Sequence, residues 1–258
     1  MVGEGQPSVD EVRARIVRVG WNTWRPVVAV QRRMLVAGVV GLAAAAVAHL
    51  LVADWLTGTL IGLGITVAGL IVASWPLRDH RLRAALELYS DHIALERDEW
   101  KLFTGTKLPS GFAAMERWLD ENPDAEHGRA AMLAGLGRLD EAEAAIASRP
   151  VRTAQEHFER ELLRQQIAAN RGGSVDFVAL RREMTLLSLD EQRHRRECVA
   201  ILEASVATET GGDPLPILAA AIEPDGPVNR RAAWALTPIA WLVLAFLPSW
   251  AALMFSLL

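Results

Sequence analysis

A chain of 258 residues with 51% hydrophobic side chains and a formal net charge of −4 has room for one or two domains, and is more apolar than an ordinary soluble protein. The charge is unevenly placed: residues 1–33 carry six arginines and three acids, residues 78–231 carry 21 basic and 27 acidic side chains, and Asp54 stands alone between them. An acidic soluble part argues against nucleic-acid binding, which needs a basic face to neutralise phosphates, and the single cysteine, Cys198, excludes an intrachain disulfide framework.

The first 33 residues are too charged for a secretory signal, and the apolar run after them is too long. Ser8 and Glu11 have capping-box spacing, and Val9, Val12, Ile16 and Val19 then share one helical face opposite Glu11, Arg15 and Arg18. With Trp21, Trp24 and Arg25 following, residues 1–33 read as an amphipathic helix on the inner leaflet of a membrane, with packing against a soluble domain as the rival reading.

Three runs contain no Asp, Glu, Lys or Arg: Met34–Ala53, Trp55–Leu77 and Ala232–Leu258. A helix rises about 1.5 Å per residue, so about 20 apolar residues cross a hydrocarbon layer about 30 Å thick. Residues 34–77 therefore predict a transmembrane hairpin with spans at 34–53 and 56–75, its tip at Asp54. Trp55 and Trp75 sit at either end of the second span. His49, one turn before the tip, reads as a polar anchor. Residues 232–258 predict a third span, kinked by Pro238 and Pro248.

Small residues recur at four-residue spacing in the first two spans: Ala37, Gly41 and Ala45, then Gly58 and Gly62, then Gly69 and Ala73. Such rows let helix backbones approach closely where lipid supplies no hydrophobic force between helices. They predict packing of the two helices on each other, or a face for another membrane subunit or a second copy. Arg25, Arg32 and Arg33 precede the first span, Arg78, Arg81 and Arg83 follow the second, and Arg230 and Arg231 precede the third. The positive-inside rule puts these clusters, the N-terminus and residues 78–231 in the cytoplasm, with the C-terminus outside.

Residues 78–231 show helical periodicity throughout. Leu82, Leu86, Tyr89 and Ile93 form one stripe; Phe112, Met115 and Leu119 form another; Asn122–Pro123–Asp124 breaks the pattern. Thr153 with Glu156 and Ser188 with Glu191 are capping boxes, and Gly172–Gly173 ends the helix between them. Cys198 falls in an apolar pattern with Ile201 and Leu202 and reads as a small core residue.

The stretch Ala130–Pro150, with Trp118, Leu119, Asn122 and Pro123 before it, resembles a tetratricopeptide helix pair over about 40 residues. The resemblance implies that Gly137 is the turn after Leu136, Ala142 the small residue at the crossing, Ile146 a core position and Pro150 the stop. Its second helix is about one turn short, and no 34-residue period continues to residue 207. It implies a helical surface that binds segments of other proteins.

Chemistry leaves little trace. Glu191 with His194, His92 with Glu96 and His157 with Glu161 have ligand-like spacings, but no complete di-metal set can be assembled, and Arg193–Arg196 is a basic run. Phe103–Lys107 lacks the spacing of a phosphate loop, and no nucleophile or dinucleotide motif is present. The expectation is an all-α membrane protein with no cofactor and no metal: a transmembrane helical hairpin, a cytoplasmic tetratricopeptide-like domain and a C-terminal transmembrane helix. Its expected role is a non-enzymatic interaction scaffold or accessory subunit of a bacterial inner-membrane complex, contacting membrane lipid and a protein partner or second copy. The competing expectation is an enzyme or transport component acting on a lipid or small solute, with a polar cleft near His80 and His92.

Overall fold

The computed structural model describes residues 7–51, 55–95, 109–123, 128–148 and 150–222. The expected C-terminal span 232–258 and the expected tip at Asp54 lie outside these residues, as do the side chains of His49, His92 and His194. Every regular element among the described residues is helical, with no strand.

In chain order the helices are α1 (Val9–Leu51), α2 (Trp55–Ser74), a 3-10 turn (Trp75–Arg78), α3 (His80–Leu95), α4 (Pro109–Glu121) and α5 (Arg129–Gly135). Then follow α6 (Leu139–Ser148), α7 (Ala154–Arg171), α8 (Phe177–Met184), α9 (Leu189–Glu209) and α10 (Leu215–Ala221). The chain divides into two compact units, one of residues 1–24 and 91–222, the other of residues 25–90 and 223–258.

In the first unit, helix ends are set by local chemistry. The Thr153 hydroxyl accepts the Glu156 backbone N–H at 3.1 Å, while the Glu156 carboxylate accepts the Thr153 N–H at 3.1 Å. Ser188 and Glu191 repeat this reciprocal pair at the start of α9, and Ser8 and Glu11 do so at the start of α1. Each arrangement satisfies donors that the first turn leaves without intrahelical partners. Asp176, which periodicity alone does not single out, caps α8 by accepting the Ala179 N–H at 2.9 Å. Gly172 closes α7 at φ 80°, and the Gly173 N–H returns to the Ala168 carbonyl at 2.8 Å. That left-handed turn is where glycine avoids the steric cost of a Cβ.

Two cores follow. One gathers Met115 and Leu119 of α4, Met132 and Leu133 of α5, Leu136, Leu139, Ala142 and Ile146 around α6, Ile167 of α7, and Val12 of α1. The other gathers Phe158 and Leu162 of α7, Leu180 of α8, Leu187, and Val199 and Leu202 of α9. Helix α7 supplies both: Ile167 near its end enters the first, Phe158 near its start the second. Phe158 has no solvent exposure, and full burial of such a side chain is worth about 1.5–3 kcal/mol.

From Val9 the chain runs without a break into the first apolar stretch as one helix of 43 residues. Val12 is 2% exposed within the first core, and Ile16 packs beside it. Arg13 donates to the Leu136 carbonyl at 2.7 Å, pairs with Glu116 at 2.7 Å and lies 5.0 Å from the Phe112 ring centroid. Of the apolar face, Val12 is thus covered by protein, while Val9 stays 41% exposed. The division between the two units falls between residues 90 and 91.

In the second unit, α1 and α2 meet at small residues. A Cβ built on Gly62 would lie 2.5 Å from the Ala45 Cα, one on Gly41 would lie 2.6 Å from the Thr66 Oγ1, and one on Gly69 would lie 3.8 Å from the Ala37 Cβ. Residue numbers rise on one helix as they fall on the other, so the two run antiparallel. Thr66 is buried at this contact and returns its hydroxyl to the Gly62 carbonyl at 2.9 Å. The pattern inverts that of a water-soluble helix: Gly58, Gly62, Thr66 and Ala73 are buried, whereas Leu56, Leu60, Ile61, Ile65, Ile71 and Val72 are exposed.

Two outcomes are expected. Gly62→Ala should destabilise the α1–α2 pair by about 1–3 kcal/mol, since the new methyl meets backbone. Gly64→Ala, where an added Cβ meets nothing within 4 Å, should be neutral or mildly stabilising; thermal unfolding in detergent compares them. Hydrogen bonds from the Ser188 hydroxyl and backbone hold the Glu191 carboxyl below its ordinary value near 4.5. Its contribution is therefore present above that value and lost as pH falls through the lower folded one. Glu191→Gln should consequently reduce the acid sensitivity of the melting temperature.

Candidate functional site

The largest described cavity, about 530 Å3, lies within the first unit between α1, α5, α7 and α9. A second, of about 360 Å3, opens between α5, α6, α7 and α9, and the two share Ala131, Gln166 and Arg195 as wall residues. Together they form a groove along α7. Its apolar walls are Ile16 and Val19 from α1, Ala131 and Ala134 from α5, Ile146 from α6, Leu163 from α7, and Ile201 and Val206 from α9. Small residues on α5 keep the groove open, because no long side chain fills the space above them.

The charged groups along the groove are engaged with protein. Arg15 pairs with Glu209, and Arg195 with Glu159. Glu156 accepts the backbone N–H groups of Arg152 and Thr153, and Arg160 donates to the Ile146 carbonyl at 3.3 Å. Ser205 returns its hydroxyl to the Ile201 carbonyl at 2.8 Å. Two neutral polar side chains remain uncommitted among the described residues, Gln166 and Asn170, one turn apart on α7 and both partly exposed into the groove. Each carboxamide can donate and accept at once. Sequence pattern did not mark them: an i, i+4 amide pair on a helix is indistinguishable from an ordinary polar face until the fold shows what it faces.

Cys198 lines the same groove. Burial pushes its thiol above the ordinary range, opposed by the nearby Arg195 charge. A thiol held neutral is a poor nucleophile, which accords with a lining residue.

The small residues of α1 and α2 lie in the second unit. Ala37 is brought to Gly69, Ala45 to Gly62, and Gly41 to Thr66, while Gly58 and Ala73 are buried. In the repeat-like stretch Leu136, Ala142 and Ile146 are buried in the first core, and Gly137 makes the turn at φ 75°. Pro150 is exposed. The close approach of Gly137 to the Val9 carbonyl and Val12 shows that this turn also seats α1, a role the resemblance did not supply. The α5–α6 pair occupies only Arg129–Ser148, well short of a repeat of about 34 residues.

No family model matches the chain, and neither a curated protein nor a solved structure matches it.

Among the described residues no three His, Cys, Asp or Glu side chains gather as a metal site. His157 is 3.0 Å from Glu183, and His80 is 86% exposed beside Asp79, outside every described cavity.

Cys198 reports directly on the groove, being the chain's one cysteine. The pH–rate profile of its reaction with a small maleimide should have its midpoint above that of the denatured chain. A midpoint equal to or below the denatured value would contradict the burial of the thiol.

Proposed function

We propose that this chain is a membrane-anchored, non-enzymatic interaction scaffold, an accessory subunit of a bacterial inner-membrane complex, whose groove along α7 holds an extended segment of a partner protein. The observation that carries the reading is the pair of uncommitted carboxamides in a groove whose charges are already paired. A groove with no spare charge favours neither phosphate nor carboxylate ligands. Its polar groups match those of a peptide backbone, which offers an N–H and a C=O at each residue.

Spacing supports this. Gln166 and Asn170 are four residues apart on a helix, a rise of about 6 Å. Alternate residues of an extended chain repeat every 6.6–6.8 Å or so, so both amides can engage the same edge of one strand-like segment. The apolar walls would then receive its side chains. Paired backbone recognition with apolar side-chain contacts is one of the general modes by which proteins hold peptides.

The membrane part of the reading draws on α1 and α2. Both are long and apolar enough to cross a bilayer, and they bury glycine, alanine and threonine while turning leucine, isoleucine and valine outward; Leu50 is 86% exposed. In water that arrangement is unfavourable at about 25 cal/mol per Å2 of apolar surface; in lipid the penalty disappears, and small-residue contacts become the means of packing. With the expected span at 232–258, three crossings would leave the N-terminus and residues 78–231 in the cytoplasm and the C-terminus outside, as the arginine distribution favours.

The test is purification of the full chain from gently solubilised native membranes. A stable protein companion should copurify, and Gln166→Ala/Asn170→Ala should reduce its yield about tenfold or more with unchanged melting. A monomer without a companion, or a companion indifferent to both substitutions, would overturn the groove reading. In a Cys198→Ala background, Asp54→Cys should label from outside with an impermeant reagent and Arg129→Cys should not; the reverse pattern would overturn the topology.

A further inference from the structure

The antiparallel register of α1 and α2 has a second consequence, at the end of the pair away from Leu51 and Trp55. One turn beyond the contact of Ala37 with Gly69, the same register brings Arg33 level with Ala73 and Ser74, and Arg32 level with Trp75. Arg78 belongs to this level too, because its guanidinium lies over the Trp75 ring, 3.4 Å from the centroid. Three arginines and a tryptophan, all exposed, thus form a collar around one end of the helix pair.

The surrounding charges are already used. Asp79 is held by Arg81, through its backbone N–H at 2.9 Å and its guanidinium at 3.3 Å. Arg83 donates to the Leu77 carbonyl at 2.8 Å, closing the end of the 3-10 turn. Arg32, Arg33 and Arg78 have no acidic partner among the described residues. They also adjoin a surface of exposed Ile71, Val72 and Trp75. Unpaired guanidinium groups above an apolar face, beside an indole, suit a ligand with an anionic head and an apolar body. Guanidinium forms paired hydrogen bonds to phosphate oxygens, and indole prefers the level where acyl chains meet headgroups.

We infer that Arg32, Arg33 and Arg78, with Trp75, form a binding collar for anionic phospholipid headgroups. The inference rests on the membrane reading above and adds lipid selectivity to it. Positive charge near an anionic leaflet orients a helix in general terms; the register here goes further, since it gathers arginines separated by more than forty residues of sequence onto a single level. The phosphate chemistry could equally be met by free inorganic phosphate, but the adjoining apolar face has no use for it, so the collar is assigned to lipid.

The experiment uses the full chain in nanodiscs of equal phosphatidylglycerol and phosphatidylcholine, followed by native mass spectrometry of the lipids retained on release. Phosphatidylglycerol should be retained in preference. Arg32→Gln/Arg33→Gln/Arg78→Gln should lower that preference by up to about fivefold per arginine, and the corresponding lysine triple should restore much of it. Should the glutamine triple fail to fold, the wild-type chain still decides the matter. Its preference should weaken when salt rises from about 0.05 to about 0.5 M, and should survive millimolar inorganic phosphate.

Equal retention of the two lipids, or a preference unchanged in the folded glutamine triple, would overturn the collar. So would full displacement by inorganic phosphate. Alkaline carbonate extraction separates the two levels of failure. A chain that resists extraction yet shows no lipid preference loses only the collar, whereas a chain released by carbonate loses the membrane reading as well.

Discussion

The contact of Gly62 against the backbone of Ala45 is the constraint on which the apolar unit depends. At that point a Cβ added to Gly62 would lie 2.5 Å from the Ala45 Cα, so a single methyl group would have to displace main chain. Because the contact faces are small, the large side chains of both helices have nowhere to go but outward. The outward apolar surface, the burial of Thr66 with its own carbonyl partner, and the level of Arg32, Arg33 and Trp75 are all consequences of one register. A shift of one turn would move Arg32 and Arg33 away from the level of Trp75.

The helical domain is organised around a different dependence. Helix α7 contributes Ile167 to one core and Phe158 and Leu162 to the other, so neither core is complete without it. Holding α7 between two cores leaves a third side free, and there Gln166 and Asn170 meet the groove. The ion pairs along that groove, Arg195 with Glu159 and Arg15 with Glu209, neutralise its charge while their stems add to its walls.

Helix ends were the most legible feature. Ser8 with Glu11, Thr153 with Glu156 and Ser188 with Glu191 each complete a hydrogen-bonding unit within four residues, so spacing alone reveals them. Gly172 is similar, since a left-handed turn is a property of one residue. The rows of small residues were also visible as rows, although which residue meets which was not. Thr66 opposite Gly41 escaped notice because a lone threonine in an apolar span has no distinctive pattern. Val12 is visible as part of an apolar face, but periodicity leaves the partner of that face open, because lipid and a protein core present the same requirement to an amphipathic helix.

By itself, then, the sequence determined what can be decided over one or two turns of chain: the helical class, the caps and breaks, the uncharged stretches, and the single thiol. Tertiary structure decided the remainder. Only packing shows that Val12 belongs to a core more than a hundred residues away, that Gln166 and Asn170 face an open groove with its charges satisfied, and that Arg32 lies level with Trp75. The physical reason is that periodicity records which face of a helix avoids water, whereas the identity of what covers that face depends on contacts between residues far apart in the chain.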